Sequence, residues 1–425
     1  MEVQLAYGGG GLPVRLPDDT TVIQPNFRPG LADPAGALRD ALRAPVGRPP
    51  LRELVRPGQR VAISVCDVTR AQPRRVMVAA ILEELDGVVR PQDVVVLVAT
   101  GTHRANTPEE LELMLGPEIV SSCRVVNHVA RDPDTLEDLG VMPGVLGDEV
   151  PVALNREWVR ADVKITTGFV EPHFFAGFSG GPKMVAPGLA GIDTVMVLHD
   201  AKRIGSPQAT WGVTEGNPVH DDIRAIARRT GVDFAVDVLL NNRQEITEVF
   251  AGDLFEEHAA AQLAARAAAM QPVDEPFDLV VTSNSGYPLD QNLYQAVKGL
   301  SAAAKVVRDG GVIIGAAECR DGIPAHGSYA EILASRPSPA SLLDMIESEA
   351  VRMPDQWQVQ LQAKIQAKAR VLMKTSYLSA AELAAAHFEA VDDVSGAVRD
   401  LLADAGPAAR VCVLPEGPQT IPYLA

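Results

Sequence analysis

Apolar runs with little polar alternation recur along the chain, separated by turn-forming residues. VAISV (61–65), VVVLVA (94–99), VKIT (163–166), LVVT (279–282) and VIIGAA (312–317) are of this kind. Such runs predict strands covered on both faces, as parallel sheets require. Between them, 76–85, 108–115 and 301–307 repeat Ala and Leu at the helical period and predict helices. The alternation of the two predicts an α/β chain with doubly wound domains. One long Ala-rich helix is predicted over 256–270, and QPVDEP (271–276) breaks it before a new strand that starts at Phe277. A second turn-rich break, VDDVSG, falls at 391–396, and ARVCVLPEG (408–416) reads as a closing strand.

Length and composition narrow the class. A chain of 425 residues exceeds one hydrophobic core, so two or more domains are expected. The 47% hydrophobic and 22% charged residues are those of a soluble globular protein, and 35 Gly with 32 Pro imply many ordered loops. A net charge of -17 would repel nucleic acid and anionic membrane surfaces, so neither is an expected partner. Cys66, Cys123, Cys319 and Cys412 form no CxxC pair, which argues against a disulfide framework and a zinc cluster. The first residues lack the basic flank and apolar core of a signal peptide, and no apolar run reaches membrane-spanning length. A reducing cytoplasm is the expected location.

Ligands of open α/β sheets bind where strands end and loops begin. Here the strand ends run into Cys-Asp-Val-Thr-Arg (66–70), Thr-Gly-Thr-His-Arg (100–104), TGFVEPHFFAGFSGGPK (167–183) and SNSGYPLDQNLYQAVKG (283–299). Asp67, Arg70, His103, His173, Lys183, Tyr294, Gln295 and Lys298 thereby become candidates. The two glycines before Pro182-Lys183 have the look of a phosphate cradle, but the spacing is not that of a Walker A loop, and Pro182 removes a backbone donor. The plainer reading is a tight turn with a solvated lysine. Phe169, Phe174, Phe175 and Phe178 weigh against it: an apolar wall beside His173 and Lys183 would lower both pKa values by desolvation and suit acid/base chemistry or covalent attachment. Among eight histidines, His128, His220, His258, His326 and His387 read as surface or satisfied core residues. His199 ends an apolar stretch that should be a helix after the lysine loop. Arg70 and Lys298 offer fixed positive charge for a carboxylate, against the alternative of surface ion pairs.

At these loops the sequence resembles the nickel-dependent lactate racemase family, and the resemblance runs over essentially the whole chain. It is carried by DVTR (67–70), GTHR (101–104), EPHFFAGFSGGPK (171–183), LHD (198–200) and SGYPLDQNLYQAVKG (285–299), with DQWQVQ (355–360) and the closing LPEGPQTIPYLA. The resemblance implies an isomerase that inverts C2 of a small 2-hydroxy acid by reversible hydride transfer through a 2-keto acid. It implies a nickel-pincer nucleotide (pyridinium-3-thioamide-5-thiocarboxylic acid mononucleotide nickel) covalently attached to Lys183, with His199 as the metal ligand. By the same resemblance His103 and His173 are the catalytic acid/bases. Asp67, Thr69 and Trp357 lie near the cofactor, and Arg70, Tyr294, Gln295 and Lys298 contact substrate. Enzymes that build the cofactor are then expected partners. The implied architecture is two doubly wound α/β domains with the active site between them. Residues 1–270 plus 396–425 form the cofactor-binding and catalytic domain, and 271–395 the substrate-contacting domain.

The chemistry is coherent with the residues. The C2 hydrogen beside an ionised carboxylate is too weakly acidic for a histidine, so hydride transfer with a histidine taking the hydroxyl proton is the easier route, and two enantiomers call for two histidines. Nickel accepts imidazole and soft sulfur donors. Three alternatives stay in view: a zinc hydrolase or lyase built on His103, His173 and His199, a non-catalytic 2-hydroxy acid binding paralogue, and an NAD-dependent dehydrogenase. The last is disfavoured because VATGTHR lacks GxGxxG.

Overall fold

Two six-stranded sheets absorb the apolar runs. The computed structural model describes residues 1–425 except 27, 325, 326, 350, 351 and 407. The chain divides into two compact units, one of residues 27–199 with 206–266 and one of residues 1–26 with 200–205 and 267–425.

In the first unit the spatial strand order is Ile246–Gly252, Phe234–Leu240, Val163–Phe169, Val61–Cys66, Val94–Ala99 and Arg124–Asn127. Every neighbouring pair is parallel except the first. All of Val61–Cys66 is buried, as a central parallel strand covered on both faces must be. Ile63, Val96 and Ile165 pack in one core with Met77 and Ile81 of the helix Arg74–Leu85. The helix Pro108–Leu115 opens on a capping box, in which Thr107 accepts from Glu110 N and Glu110 accepts from Thr107 N. Chain order reverses between Val61–Cys66 and Val163–Phe169, which creates the switch point where doubly wound sheets bind ligands beyond the strand C-termini. Three of the four polar loops predicted to carry the chemistry leave this sheet around that point.

The second unit has a wholly parallel sheet in the order Glu389–Ala390, Arg370–Lys374, Val307–Ala316, Phe277–Ser283, Val411–Leu414 and Thr21–Val22. Leu279, Val281, Ile314 and Val413 form its core with Leu5 and Val14 from the amino-terminal hairpin and with Val394 and Val398. The fourth polar loop follows Phe277–Ser283. Among the described residues no helix is long and apolar enough to cross a membrane.

The mixed α/β class with parallel sheets is as read from the sequence, and four details differ. The closing strand pairs with the second sheet, Leu279 opposite Val411, so residues 396–425 do not join the first unit, and residues 1–26 accompany them. The helix expected at 301–307 is Leu293–Ala303, started by the Asn292 side chain accepting from Gln295 N, and Val307 already begins a strand. The helix expected over 256–270 ends at Ala269, and the strand Met270–Val273, held by Ile421–Leu424, runs into the break at 271–276. The break at 391–396 closes early, since the helix Val394–Ala405 starts inside it.

Candidate functional site

The Val61–Cys66 strand delivers Asp67, which is only 3% exposed. Its loop is held by buried neighbours. Gln72 Oε1 accepts from Cys66 N (2.7 Å) while Gln72 Nε2 donates to Thr167 Oγ1 (2.7 Å). The Arg74 guanidinium donates to the carbonyls of Cys66, Asp67 and Arg70. Asp67 Oδ1 accepts from Thr69 N (2.9 Å) and Thr69 Oγ1 (2.6 Å), and Oδ2 lies 2.6 Å from His103 Nδ1. Burial opposes ionisation of Asp67, but the hydrogen bonds and charge of His103, the Thr69 hydroxyl and the Arg70 charge outweigh it and hold the carboxyl at about 2. An ionised Asp67 can only accept, so His103 carries its hydrogen on Nδ1 and presents the lone pair of Nε2. Asp67 thus orients His103, and Thr69 holds the Asp67 carboxylate in place.

The lysine loop is built differently. His173 sits in a two-residue ladder, opposite Gly177, and its ring stacks on Phe174 with centroids 4.6 Å apart and meets Phe175 edge-on at 6.2 Å. Its Nδ1 accepts from Phe175 N (3.1 Å) and Ala176 N (3.2 Å). The neutral ring therefore carries its hydrogen on Nε2, which lies 3.4 Å from Lys183 Nζ. Gly180 and Gly181 both take left-handed backbone angles, φ +71 and +48, which only glycine adopts without strain, and they turn the chain into the short 3-10 helix Gly181–Met184 that carries the lysine. Lys183 is half-buried; burial first, with the Arg70 charge adding to it, pulls its pKa down to about 7. This overturns the solvated-lysine reading. Gly181 N is not available to a phosphate cradle, because it is committed to Asp237 Oδ2 at 2.7 Å.

His199 closes the helix Ile192–Leu198, and its Nδ1 donates to Val195 O at 2.9 Å. Nε2 then holds the lone pair that a metal needs. Burial, followed by the nearby Lys183 charge, keeps the ring neutral down to about 4.

The other candidates belong to the second unit. Tyr294, Gln295 and Lys298 lie on Leu293–Ala303, where Tyr294 and Lys298 are one turn apart and share a face. Trp357 Nε1 donates to Tyr294 Oη (3.2 Å), and Gln358 Nε2 donates to Tyr294 O (2.6 Å). The sequence-predicted residues thus form two groups: Asp67, Thr69, Arg70, His103, His173, Lys183 and His199 in one unit, and Tyr294, Gln295, Lys298 and Trp357 in the other.

Of the histidines given a structural reading, His128 Nε2 donates to Ala190 O (2.9 Å), His258 Nε2 to Ser179 O (2.8 Å) and His387 Nε2 to Leu333 O (3.1 Å). His220 is buried, 5% exposed, and His326 lies outside the described residues. Among the described residues no three His, Cys, Asp or Glu side chains gather as a metal site, so the three-histidine alternative gains no support from the geometry. Sequence reasoning passed over Asp237 and Glu257, which back the lysine loop. The signal was there for Asp237: an acid in the middle of the apolar strand FAVDVLL (234–240).

Residues 7–212 match the lactate racemase N-terminal domain family and residues 273–421 the lactate racemase C-terminal domain family. The lactate racemase of Thermoanaerobacterium thermosaccharolyticum is 33% identical over 386 residues, 88% of each chain. That of Lactiplantibacillus plantarum is 35% identical over 383 residues, 89% of each. The lactate racemase apoprotein structure from T. thermosaccharolyticum superposes with a TM-score of 0.91 at 30% identity, covering 100% of both chains. A Thermotoga maritima protein at 17% identity and TM-score 0.68, covering 92% of this chain and 98% of its own, shares the fold alone.

Proposed function

The chain belongs to the lactate racemase family, an isomerase family, and on that premise we propose that it inverts C2 of a small 2-hydroxy acid, lactate or a close relative. The reading includes a nickel-pincer nucleotide joined covalently to Lys183. The observation that carries it is Lys183 itself: an amine with a pKa of about 7, turned toward His173 Nε2 at 3.4 Å. Much of it is the free base at neutral pH, which is what covalent attachment asks of a lysine.

The residues fit the group. Lys183 is the attachment point, and His199, neutral and with its lone pair on Nε2, supplies an imidazole of the kind nickel accepts. Bound there, the nucleotide supplies the acceptor and donor for the C2 hydride, a role no side chain of the set can fill. The protein's own work is on the proton and the carboxylate. His103 Nε2 takes the hydroxyl proton of one enantiomer while Asp67 holds its Nδ1 hydrogen and stabilises the imidazolium formed. His173 performs the corresponding transfer for the other enantiomer. Arg70 and Lys298 are assigned to the substrate carboxylate, and Tyr294 and Gln295 to further substrate contacts; Trp357 steadies the Tyr294 hydroxyl. Four buried thiols without a disulfide suit the reducing cytoplasm, where the enzymes that build the cofactor would act.

The test is intact-protein mass spectrometry with nickel analysis on chain co-expressed with those enzymes, followed by chiral analysis of lactate, malate and larger 2-hydroxy acids. A Lys183 adduct with about one nickel per chain and a racemised acid supports the reading. Lys183→Ala is expected to fold, carry no adduct and lose racemisation; full activity in that variant sinks the mechanism.

A further inference from the structure

Beneath the lysine turn lies a buried set of ionisable groups that the proposed chemistry leaves unused. Asp237 is 2% exposed in the strand Phe234–Leu240, and Glu257 and His258 stand side by side in the helix Leu254–Ala269 at 0% and 1%. A lone charge at such depth is costly unless paired or hydrogen-bonded. Asp237 Oδ2 accepts from Gly181 N at 2.7 Å. Two more glycines close around the same carboxyl: a Cβ on Gly168 would fall 2.6 Å from Oδ1, and one on Gly180 3.0 Å from Oδ2. From the other side, a Cβ on Gly181 would strike the His258 ring at 2.5 Å. That ring is itself fixed, Nε2 donating to Ser179 O (2.8 Å) and Nδ1 accepting from Gln262 Nε2 (3.1 Å).

Glu257 is the odd member. Among the described residues no backbone or side-chain N–H or O–H donates to either of its oxygens. A buried acid is satisfied there only by keeping its proton and donating it to Asp237. Burial accounts for that state: it lifts Glu257 well above the usual carboxylate range and Asp237 to about 7. The result is a chain of donors, Glu257 O–H to Asp237 and Gly181 N–H to the same carboxyl, ending two residues from the lysine.

We propose that Asp237, capped by Glu257, is a positioning residue for Lys183: the acid pair fixes the left-handed Gly180–Gly181 turn that directs Nζ at His173, and so sets how readily that amine is acylated. The inference rests on Lys183 being the attachment point. It also explains why this loop has paired glycines although it binds no phosphate through Gly181 N.

Competitive acetylation of the full-length apoprotein with isotopically labelled acetic anhydride tests it without the cofactor. Peptide mass spectrometry compares Lys183 with the exposed Lys202 as internal standard, from acid to alkaline pH. Wild-type Lys183 is expected to label with a midpoint of about 7. Asp237→Leu, similar in size but without an acceptor, should lower the Lys183 labelling rate at neutral pH by about tenfold or more. Asp237→Asn, whose Oδ1 can still accept from Gly181 and whose amide can donate to Glu257, should restore it to within about threefold. That rescue separates positioning from general loss of structure. A folded Asp237→Leu protein with the wild-type rate and midpoint overturns the proposal. If that variant does not fold, hydrogen exchange on the wild type decides: the Gly181 amide must exchange slowly, and exchange at an open-loop rate overturns the proposal equally. Adduct yield after co-expression keeps the two readings apart. Labelling that depends on Asp237 in a chain that never carries an adduct leaves positioning standing and removes the attachment reading; equal adduct in wild type and Asp237→Leu removes positioning alone.

Discussion

His103 and His173 follow strands of one sheet and are proposed for the same task on opposite enantiomers, yet their rings are held in opposite ways. His103 is 45% exposed and gives its Nδ1 hydrogen to a buried carboxylate. His173 is stacked on Phe174, and its Nδ1 receives two backbone amides. The first ring offers a lone pair at Nε2; the second offers a hydrogen. One residue type thus yields two tautomers, chosen by what stands behind the ring. The lesson is that the resting chain has one base ready and one that must shift its hydrogen to Nδ1 first, giving up two amide bonds worth about 1 kcal/mol each. Acylating Lys183 makes that shift easier, because Nζ loses the lone pair that received the His173 hydrogen and keeps only a donor.

The contrast can be broken at several points. The largest effect is expected from His103→Ala and His173→Ala, each lowering kcat for racemisation by about 10²- to 10⁴-fold, the usual worth of a positioned acid/base. Chiral chromatography of the reaction reads it, and near-normal turnover in either variant would remove that histidine from the mechanism. Asp67→Asn comes next. Thr69 presents two donors to one oxygen, so the new amide must turn its carbonyl toward Thr69 and its NH₂ toward His103, forcing the hydrogen onto Nε2. His103 then takes the tautomer of His173, and kcat should fall by about 10²-fold with little change in KM.

The same substitution has a stability signature. The folded pKa of Asp67 lies below its unfolded value, so its contribution is present above the unfolded pKa and is lost as pH falls through the folded one, about 2. Urea unfolding should show wild type exceeding Asp67→Asn by roughly 2 kcal/mol from neutral pH down to about pH 5, the gap shrinking below about pH 4. A gap that grows toward low pH would refute the ionised assignment. The smallest effect needs spectroscopy: two-bond ¹H–¹⁵N correlations of the apoprotein should show Nδ1–H at His103 and Nε2–H at His173, with only His173 changing when Lys183 is acetylated. Identical tautomers at both sites would dissolve the comparison.

Much of the scaffold was readable locally. VVVLVA matches the strand Val94–Ala99 residue for residue, and Pro108–Leu115 is bounded as its capping box and following Gly116 dictate. What failed depended on distant partners. Nothing within QPVDEP announces that Met270–Val273 pairs with a segment near residue 421, and nothing in ARVCVLPEG says which sheet will take it. The 301–307 error came from Ala-rich SAAAK, which prolonged a helical pattern past its real end at Ala303. In the site, motifs located the chemical residues but not their supports. DVTR and GTHR point to Asp67 and His103 separately; only the folded sheet sets them 2.6 Å apart. Phe174 and Phe175 contact His173 as the aromatic cluster promised, and the downward shift of Lys183 follows from burial as expected.

The pairing of Val411–Leu414 with Thr21–Val22 has a consequence for biogenesis. The strand Thr21–Val22 finds its neighbour only 389 residues later, counting from Val22 to Val411. At about 5–20 residues per second that interval is roughly 20–80 s on the ribosome. The first sheet is complete once residue 252 has emerged and can condense during that wait. The second must keep the strand Thr21–Val22 unclaimed until Val411–Leu414 has been made, so nascent chains stalled or truncated before residue 411 should display a folded first sheet and an unfinished second one, an early substrate for chaperones and proteases.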